Sequence, residues 1–336
     1  MNTRQRGIAI VPALLLATLA VTLVAGLFWR QQVQLRMLEN QRLASQAQWV
    51  ARGALDWAQR QLQEDARRSA VDHLGEAWAA APTLTRLDNY LDAAPDTDAP
   101  AQVSSQIVDA QSFFNLSNLV SERQPRPAEV AALRRLLTAL QLDPALAQSV
   151  VAALQATQKG TLAPPAGSAP RVLSEADKEN MSVADIRAWE EAQAAAAAPP
   201  SSAPTAARLL QLDDLLQLPG FSPAIVDKLR GHVIFLPRPT PLNANTADAL
   251  TLAALLDKDL SVTTQLVAAR RQAWFRDEAD LALRSGVPAD PARLSVRSRY
   301  FLVHSQVRVG RADLRLQALI ERSDDGQTRI SWLRET

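Results

Sequence analysis

The chain has 336 residues, with 36 Lys plus Arg against 35 Asp plus Glu, so its formal net charge is only +1. That balance provides no overall basic excess that would attract nucleic acid. The chain contains no cysteine, which excludes disulfide bonds and thiolate metal sites. Aromatic residues make up 5% of the chain while Ala and Leu are abundant, and this composition favours a helix-rich protein.

A short basic segment precedes a long apolar run at the N-terminus. Arg4 and Arg6 lie within residues 1–7, and no charged residue occurs from Ile8 to Trp29. A helix over residues 8–29 would be about 33 Å long, enough to cross the hydrocarbon core of a bilayer. The positive-inside rule then predicts a cytoplasmic N-terminus and a body on the other side of the membrane.

The helical pattern continues beyond the apolar run, which is unusual for a removable secretory signal peptide. Small and apolar residues recur at spacings of three and four, as expected for one stripe of an amphipathic helix. The stripe consists of Leu43, Ala47, Val50 or Ala51, Ala54 or Leu55, Ala58 and Leu62. We therefore predict one continuous helix from the apolar run through residues 30–64.

The middle of the chain has helical periodicity, and the C-terminal end has strand periodicity. Helices are predicted over 127–154, 174–191, 209–232 (two) and 246–283 (a pair), with Ala- and Pro-rich linkers near 157–172 and 192–206. Three antiparallel strands are predicted over the last 37 residues, with a hairpin turn at Asp324-Asp325-Gly326. A strand over 102–108 is expected to join them. The fold class is therefore α+β, with an all-α insertion.

Five short motifs, in this order along the chain, resemble those of the type II secretion system minor pseudopilin K family. They are RQRG at 4–7, DHLGEAW at 72–78, FNLSNL at 114–119, LNANTA at 242–247 and YFLV at 300–303. The resemblance covers nearly the whole chain. It implies a type IV pilin-like fold, in which a long N-terminal helix packs on an antiparallel sheet.

The resemblance also implies how the N-terminus is processed. A prepilin peptidase would cut between Gly7 and Ile8 and methylate the new amine of Ile8. Pilin-like proteins usually carry Glu at the fifth residue after the cut, but this position is Pro12 here. Proline is also well tolerated in the first turn of a helix.

The domains expected from the resemblance follow the sequence patterns. They are a leader (1–7), the membrane part of the helix (8–29), its periplasmic part (30–64), an α+β pseudopilin domain (65–120 and 299–336) and an inserted helical domain (121–298). The resemblance implies helix-hairpin-helix or SAM-like helices within that insertion.

The function implied by the resemblance is structural. The chain would be held in the inner membrane by a single span, with its body in the periplasm, and would cap the tip of the pseudopilus and help to initiate its assembly. Its partners would be minor pseudopilins I and J, together with minor pseudopilin H, major pseudopilin G and the prepilin peptidase. Calcium is the only cofactor that the resemblance raises, although the sequence has no D-x-D-x-D-G loop.

Catalytic motifs are missing from the sequence, so we predict that the chain is not an enzyme. His73, His232 and His304 are far apart in the chain, and there is no G-x-S-x-G, Gly-rich phosphate loop or H-E-x-x-H. His73 and Glu76 are placed to share a helical face and bind a metal, but a solvated or capping role is the plainer interpretation.

The alternative function is a membrane-anchored DNA-binding or DNA-uptake protein. Residues 218–221 (LPGF) and 243–247 (NANTA) resemble helix-hairpin-helix modules, whose backbone N–H groups bind phosphate. Pro223 removes one such donor, and Asp257 and Asp259 place carboxylates at the second hairpin. We therefore interpret both hairpins as structural, and Asn243, Asn245 and Thr246 as turn and N-cap residues.

Overall fold

The structure is a computed structural model that describes residues 10–82, 84–87, 101–160, 209–288 and 290–336. The chain forms two compact units. Unit 1 takes the residues up to 70, 74–109 and 299–336, and unit 2 takes 71–73 and 110–298.

The longest element of unit 1 is a single helix, α1 (Ile10–Arg68), of 59 residues. Large apolar side chains between Leu14 and Trp29 are exposed, whereas one stripe near the C-terminal end is buried. That stripe consists of Ala47, Ala51, Leu55, Ala58 and Leu62, each at most 2% exposed. The predicted continuous helix is confirmed, and Ala51 and Leu55 are the buried members of the predicted stripe.

The sheet of unit 1 has five antiparallel strands in the order β1-β2-β9-β10-β11. Their bounds are Thr85–Arg86 (β1), Gln102–Asp109 (β2), Tyr300–Val309 (β9), Ala312–Arg322 (β10) and Thr328–Glu335 (β11). Because β2 pairs with β9, the early strand does join the C-terminal strands, as predicted. The three predicted C-terminal strands are also confirmed.

The hairpin between β10 and β11 passes close to α1. Gly326 has a φ of +80°, and a Cβ at this position would lie 3.2 Å from the Cβ of Ala66. The Ser323 amide donates to the Gln327 carbonyl at 2.8 Å and closes the turn. The left-handed backbone therefore favours glycine here, and the close approach of α1 leaves little room for a side chain.

The core of unit 1 forms where α1 packs on β9 and β10. Phe301 meets Trp78 edge to face, with ring centroids 5.3 Å apart. The Arg322 guanidinium lies 4.7 Å from the Phe301 ring and bridges to Asp65 on α1 at 3.0 Å. Both side chains of this ion pair are nearly buried, at 8% and 11% exposed, so it fixes the end of α1 to the sheet.

Unit 2 is mainly helical, with a core of Leu, Val and Ala side chains and very short strands. Its helices are α2 (Pro127–Ala139), α3 (Leu146–Gly160), α4 (Pro223–Leu229), α5 (Ala249–Leu256), α6 (Leu260–Gln272) and α7 (Glu278–Ser285). Its two-residue strands are β3 (Phe114–Asn115), β4 (Val120–Ser121), β5 (Gln124–Pro125), β6 (Val233–Ile234), β7 (Leu242–Asn243) and β8 (Leu294–Ser295). The ladders β3–β6 and β7–β8 are parallel and join segments far apart in sequence.

The helices of unit 2 differ from the predicted ones in three places. Residues 209–232 hold two helical segments, as predicted, but the first (Leu212–Gln217) is a 3-10 helix and only the second is an α-helix. Three helices, not a pair, fill the region that begins at residue 246, because the chain turns at Phe275, which is fully buried. Helix α3 continues to Gly160, into the predicted linker, and the rest of that linker lies outside the described residues. The predicted helix over 174–191 and the linker over 192–206 also lie outside them.

Two other expectations differ from the structure. Residues 110–120 fall in unit 2, because Phe114, Leu116 and Leu119 pack in its core and β3 pairs with β6. The expectation that His73 and Glu76 share a helical face is wrong, because α1 ends at Arg68 and neither residue is helical.

Replacing Arg322 with Met tests the ion pair between α1 and the sheet. Removing one partner leaves the Asp65 carboxylate buried without its cation, so we expect unit 1 to lose about 3 kcal/mol of stability. Hydrogen exchange of the β9–β11 amides measures this change, with the amides of unit 2 as the internal reference. The double variant Asp65→Leu/Arg322→Met should recover most of the loss, and an unchanged exchange rate in Arg322→Met would contradict the assignment.

Candidate functional site

The exposed apolar part of α1 has the length and composition of a membrane span. The candidate span starts at Pro12, and its most apolar 18-residue window has no buried residue. Pro12 is exposed in the first turn of α1, where proline is tolerated. Gly7 and Ile8, the predicted cleavage residues, lie outside the described residues.

The start of α1 carries no carboxylate. After Gly7 the first acidic residue in the sequence is Glu39, well beyond the apolar run. An amine at Ile8 would therefore find no acidic side chain within the apolar part of its own helix.

The FNLSNL motif binds an irregular stretch of backbone in unit 2. Asn115 Nδ2 donates to the Arg238 carbonyl at 2.8 Å, and its Oδ1 accepts from the Leu236 amide at 3.2 Å. Asn118 pairs with both backbone groups of Thr240, at 2.7 and 2.9 Å. Since irregular backbone makes few bonds to itself, these two buried amides supply the partners that it needs.

The LNANTA motif does the same at a second place. Asn245 pairs with the amide and the carbonyl of Phe275, at 2.8 and 3.0 Å. Asn243 accepts from the Asn245 amide at 2.9 Å and donates to the Asp72 carbonyl at 3.1 Å. Both asparagines are at most 2% exposed.

Arg270 of α6 supports the LNANTA turn from the other side. Its guanidinium donates to the carbonyls of Ala244 and Ala247. Burial lowers the pKa of Arg270 to about 10, so the side chain is still charged at neutral pH. The predicted turn role of Asn243 and Asn245 is confirmed, but the N-cap of α5 is Asp248, whose Oδ1 accepts from the Thr251 amide.

The hairpins that resemble DNA-binding modules present carboxylates. At the first hairpin, the Phe221 amide donates to the Leu218 carbonyl, so it is not available to a phosphate. Asp213 and Asp227 form ion pairs with Arg230 near this turn. At the second hairpin, Asp257 is the C-cap residue of α5 and Asp259 is the N-cap residue of α6. Gly220 has a φ of +89°, a backbone conformation that L side chains rarely adopt, so the turn itself explains this glycine. The geometry does not favour phosphate binding at either turn.

The three histidines have different neighbours. His73 stacks on Trp274, with ring centroids 3.9 Å apart, and His304 is exposed on β9. His232 Nδ1 lies 3.0 Å from Asp248 Oδ2. Burial would raise the pKa of Asp248, but hydrogen bonds from His232 and Thr251 outweigh it and lower that pKa. These contacts account for His73 as part of the packing and for His232 as a partner of the helix cap Asp248.

Asp324 and Asp325, which are predicted to form a hairpin turn, both have hydrogen-bond partners in unit 1. Arg299 donates to the two carboxylate oxygens of Asp324, at 2.8 and 2.7 Å. Asp325 accepts from the Ser323 hydroxyl and from the Gln327 amide. The turn role of these two residues is confirmed.

Asn245→Ala tests whether the LNANTA motif supports the fold of unit 2. The change leaves the buried amide and carbonyl of Phe275 without partners, at a cost of about 2–4 kcal/mol. Chemical denaturation measures the change in the free energy of unfolding. Asn40→Ala, at an exposed position of α1, is the control and should change that free energy little. A loss of less than about 1 kcal/mol at Asn245 would contradict the assignment.

Comparisons with known proteins agree on one family. A family model described as "Type II secretion system (T2SS), protein K" matches residues 112–238. The chain is 30% identical to type II secretion system protein K of Pseudomonas aeruginosa, over 98% of this chain and 92% of the relative. It is 26% identical to the Aeromonas hydrophila protein of the same name, over 96% and 95% of the two chains.

A solved structure shares the fold. It is a chain of the GspK-GspI-GspJ complex from enterotoxigenic Escherichia coli, with a TM-score of 0.58 at 20% identity. The match covers 89% of this chain and 98% of that chain. The fold of unit 1 and the near full-length match to the Pseudomonas aeruginosa relative agree with the resemblance carried by the five motifs. The chain belongs to the type II secretion system protein K family of minor pseudopilins.

Proposed function

We propose that the chain caps the tip of the periplasmic pseudopilus and helps to initiate its assembly, in a complex with its counterparts of GspI and GspJ. The observation that carries the proposal is the single helix α1, which is apolar and exposed at one end and part of the core of unit 1 at the other. Such a helix joins a membrane anchor to a folded body. The related solved structure is named as a complex of these three proteins.

Pro12 supports a position at the end of the filament. Leader removal would create an amine at Ile8, and burying an unpaired charge in an apolar setting is costly. In pilin-like proteins the Glu that stands here is thought to pair with the amine of a neighbouring subunit. A chain with Pro12 cannot supply that carboxylate to the amine of a subunit above it. The end of the filament, where no subunit lies above, therefore suits this chain best.

The anchoring that we propose places the N-terminus in the cytoplasm. Arg4 and Arg6 would hold residues 1–7 on that side of the inner membrane, residues 8–29 would span it, and the rest of the chain would lie in the periplasm. The prepilin peptidase would then cut after Gly7 and methylate Ile8.

In the domain organisation that we propose, the membrane helix continues directly into the folded part of the chain. Residues 30–64 continue that helix beyond the membrane. The folded part consists of an α+β domain completed by residues 299–336 and of the helical insertion that ends at 298. We further propose that the chain is not an enzyme, because its sequence has no catalytic motif and because His73 and His232 are taken up by packing and helix capping.

Leader processing is tested by replacing Gly7 with Leu. A bulky side chain at the cleavage site should block the peptidase, so the variant keeps residues 1–7 and stays unmethylated. Intact-mass measurement of the membrane-extracted chain distinguishes the two forms. Gly26→Leu is the matched control within the apolar run and should be processed normally, since nothing lies within 4 Å of a Cβ at this position. A normally processed Gly7→Leu chain would refute the site.

Complex formation is tested by co-expressing the full-length chain with its GspI and GspJ counterparts and purifying the chain from detergent extract. We expect the three proteins to elute together after dilution to micromolar concentration. If the two counterparts pair with each other but not with this chain, the tip proposal is wrong.

A further inference from the structure

Arginines are concentrated at the end of unit 1 that adjoins the apolar run. On α1, the charged residues between this run and residue 51 are three arginines and one glutamate, Arg30, Arg36, Glu39 and Arg42. All four are exposed. Arg36, Glu39 and Arg42 follow one another at intervals of three, so they share one face of the helix. This face is therefore basic, with a single carboxylate at its centre.

The turn between β9 and β10 lies against that face. Arg311, in the turn, donates to the Glu39 carboxylate at 2.8 Å. Next to the turn, Arg308 of β9 lies opposite Asp313 of β10, and the two form an ion pair at 3.3 Å. Arg315 comes two residues later, on the same face of β10 as Asp313. We call these eight charged residues of α1 and of the turn region the basic end of unit 1.

The basic end carries a charge excess that the chain as a whole does not have. Its six arginines and two carboxylates give it a net charge of +4, against +1 for the whole chain. Both carboxylates are paired with an arginine of the same group. Within the part of the chain that the structure describes, four of the arginines have no ion-pair partner: Arg30, Arg36, Arg42 and Arg315. A charge excess of this size attracts an anionic surface.

The height of the basic end above a bilayer follows from α1. Phe28 and Trp29 are exposed at the end of the charge-free run, where aromatic residues typically mark the membrane–water interface. Glu39 is ten residues beyond Trp29, so the turn that binds it lies about 15 Å further along the helix. The headgroup layer takes up about 5–8 Å of that distance. The remaining gap is about one Debye length at physiological ionic strength, and long arginine side chains narrow it.

A tilt of α1 brings the basic end into contact with the headgroups. Membrane-spanning helices are tilted by about 20° on average. Because the β9–β10 turn lies beside α1, a tilt towards the turn lowers it, whereas a tilt in the opposite direction lifts it. An anionic bilayer therefore favours one direction of tilt, since each basic residue near such a surface strengthens the association roughly fivefold.

We propose that the basic end of unit 1 binds the anionic phospholipid headgroups of the membrane that α1 spans, so that unit 1 leans onto the bilayer on the side of the β9–β10 turn. An acidic protein would meet the same charges, but the bilayer is the anionic surface that α1 itself holds within reach. The proposal goes beyond the proposed function. It requires α1 to span a membrane, but it does not require the chain to lie at the filament tip.

Lipid preference tests the proposal on the full-length chain in nanodiscs. Spin-labelled phosphatidylglycerol and phosphatidylcholine report how strongly each lipid associates with the protein. We expect the wild-type chain to prefer phosphatidylglycerol by roughly fivefold, the scale set by one basic residue at an anionic surface. Arg36→Gln/Arg42→Gln should lose most of this preference, and so should the wild-type chain in 1 M salt, where the Debye length is about 3 Å. Glutamine keeps the helix propensity at these exposed positions.

Arg52→Gln/Arg60→Gln is the matched control. It removes the same charge from exposed positions of the same helix, about 35 and 46 Å beyond Trp29, where the bilayer is out of reach. This variant should keep the wild-type lipid preference. An equal loss of preference in the two double variants would overturn the proposal.

A photoactivatable phosphatidylglycerol, with the reactive group at its headgroup, locates the contact. It should link to residues 308–315 as well as to residues 36–42, and it should not link to residues 322–328 at the other end of the sheet. Links confined to α1 would show that the turn does not reach the bilayer and would overturn the proposal.

The same nanodiscs separate this proposal from the proposed function. If the chain shows no lipid preference but co-purifies with its GspI and GspJ counterparts, the lipid surface is wrong and the tip complex stands. If the chain keeps the preference but binds neither counterpart, the tip proposal fails and the lipid surface stands. If the chain is not retained in nanodiscs, α1 is not a membrane span and both proposals fail.

Discussion

The attachment of α1 to the sheet of unit 1 is the interaction on which the function of this chain depends. The stripe from Ala47 to Leu62 buries small and apolar side chains, and the Arg322–Asp65 pair fixes the end of the helix. Gln63 adds a bond of 2.8 Å to the Thr328 hydroxyl on β11. Because one helix is both anchor and core element, a displacement of the membrane segment is passed directly to the folded body.

Unit 2 is stabilised in a different way. Its short parallel ladders provide few backbone hydrogen bonds, so buried asparagines and Arg270 supply partners to the irregular segments at 236–247. Groups of buried polar residues in a helical domain suggest a binding site at first sight. Here their bonds end on backbone groups and side chains of the chain itself, which assigns them to the fold rather than to a ligand.

Periodicity in the sequence was sufficient to predict α1 and four of the five strands of unit 1, but not the two-residue strand β1. The spacing of Ala47 to Leu62 defined α1, and the alternation after Tyr300 defined the C-terminal strands, because in both cases the pattern directly reflects burial on one face. Unit 2 was less predictable, because its hydrogen bonds join residues far apart in the sequence. Asn115 bonds with Leu236, which is 121 positions away, and Asn245 bonds with Phe275, which is 30 positions away. The spacing of residues in the sequence does not reveal such pairs. The end of α1 at Arg68 and the burial of Phe275 likewise depend on tertiary contacts.

The central claim is that the membrane anchor and the core helix of unit 1 are one rigid helix. Electron–electron spin distance measurement tests it, since the chain has no cysteine and can be labelled cleanly at Thr22→Cys and Gln48→Cys. A continuous helix in a lipid nanodisc predicts a narrow distribution near about 39 Å, from 1.5 Å per residue. A broad distribution, or one centred well below that distance, would show a bend or a break between anchor and body and would contradict the account.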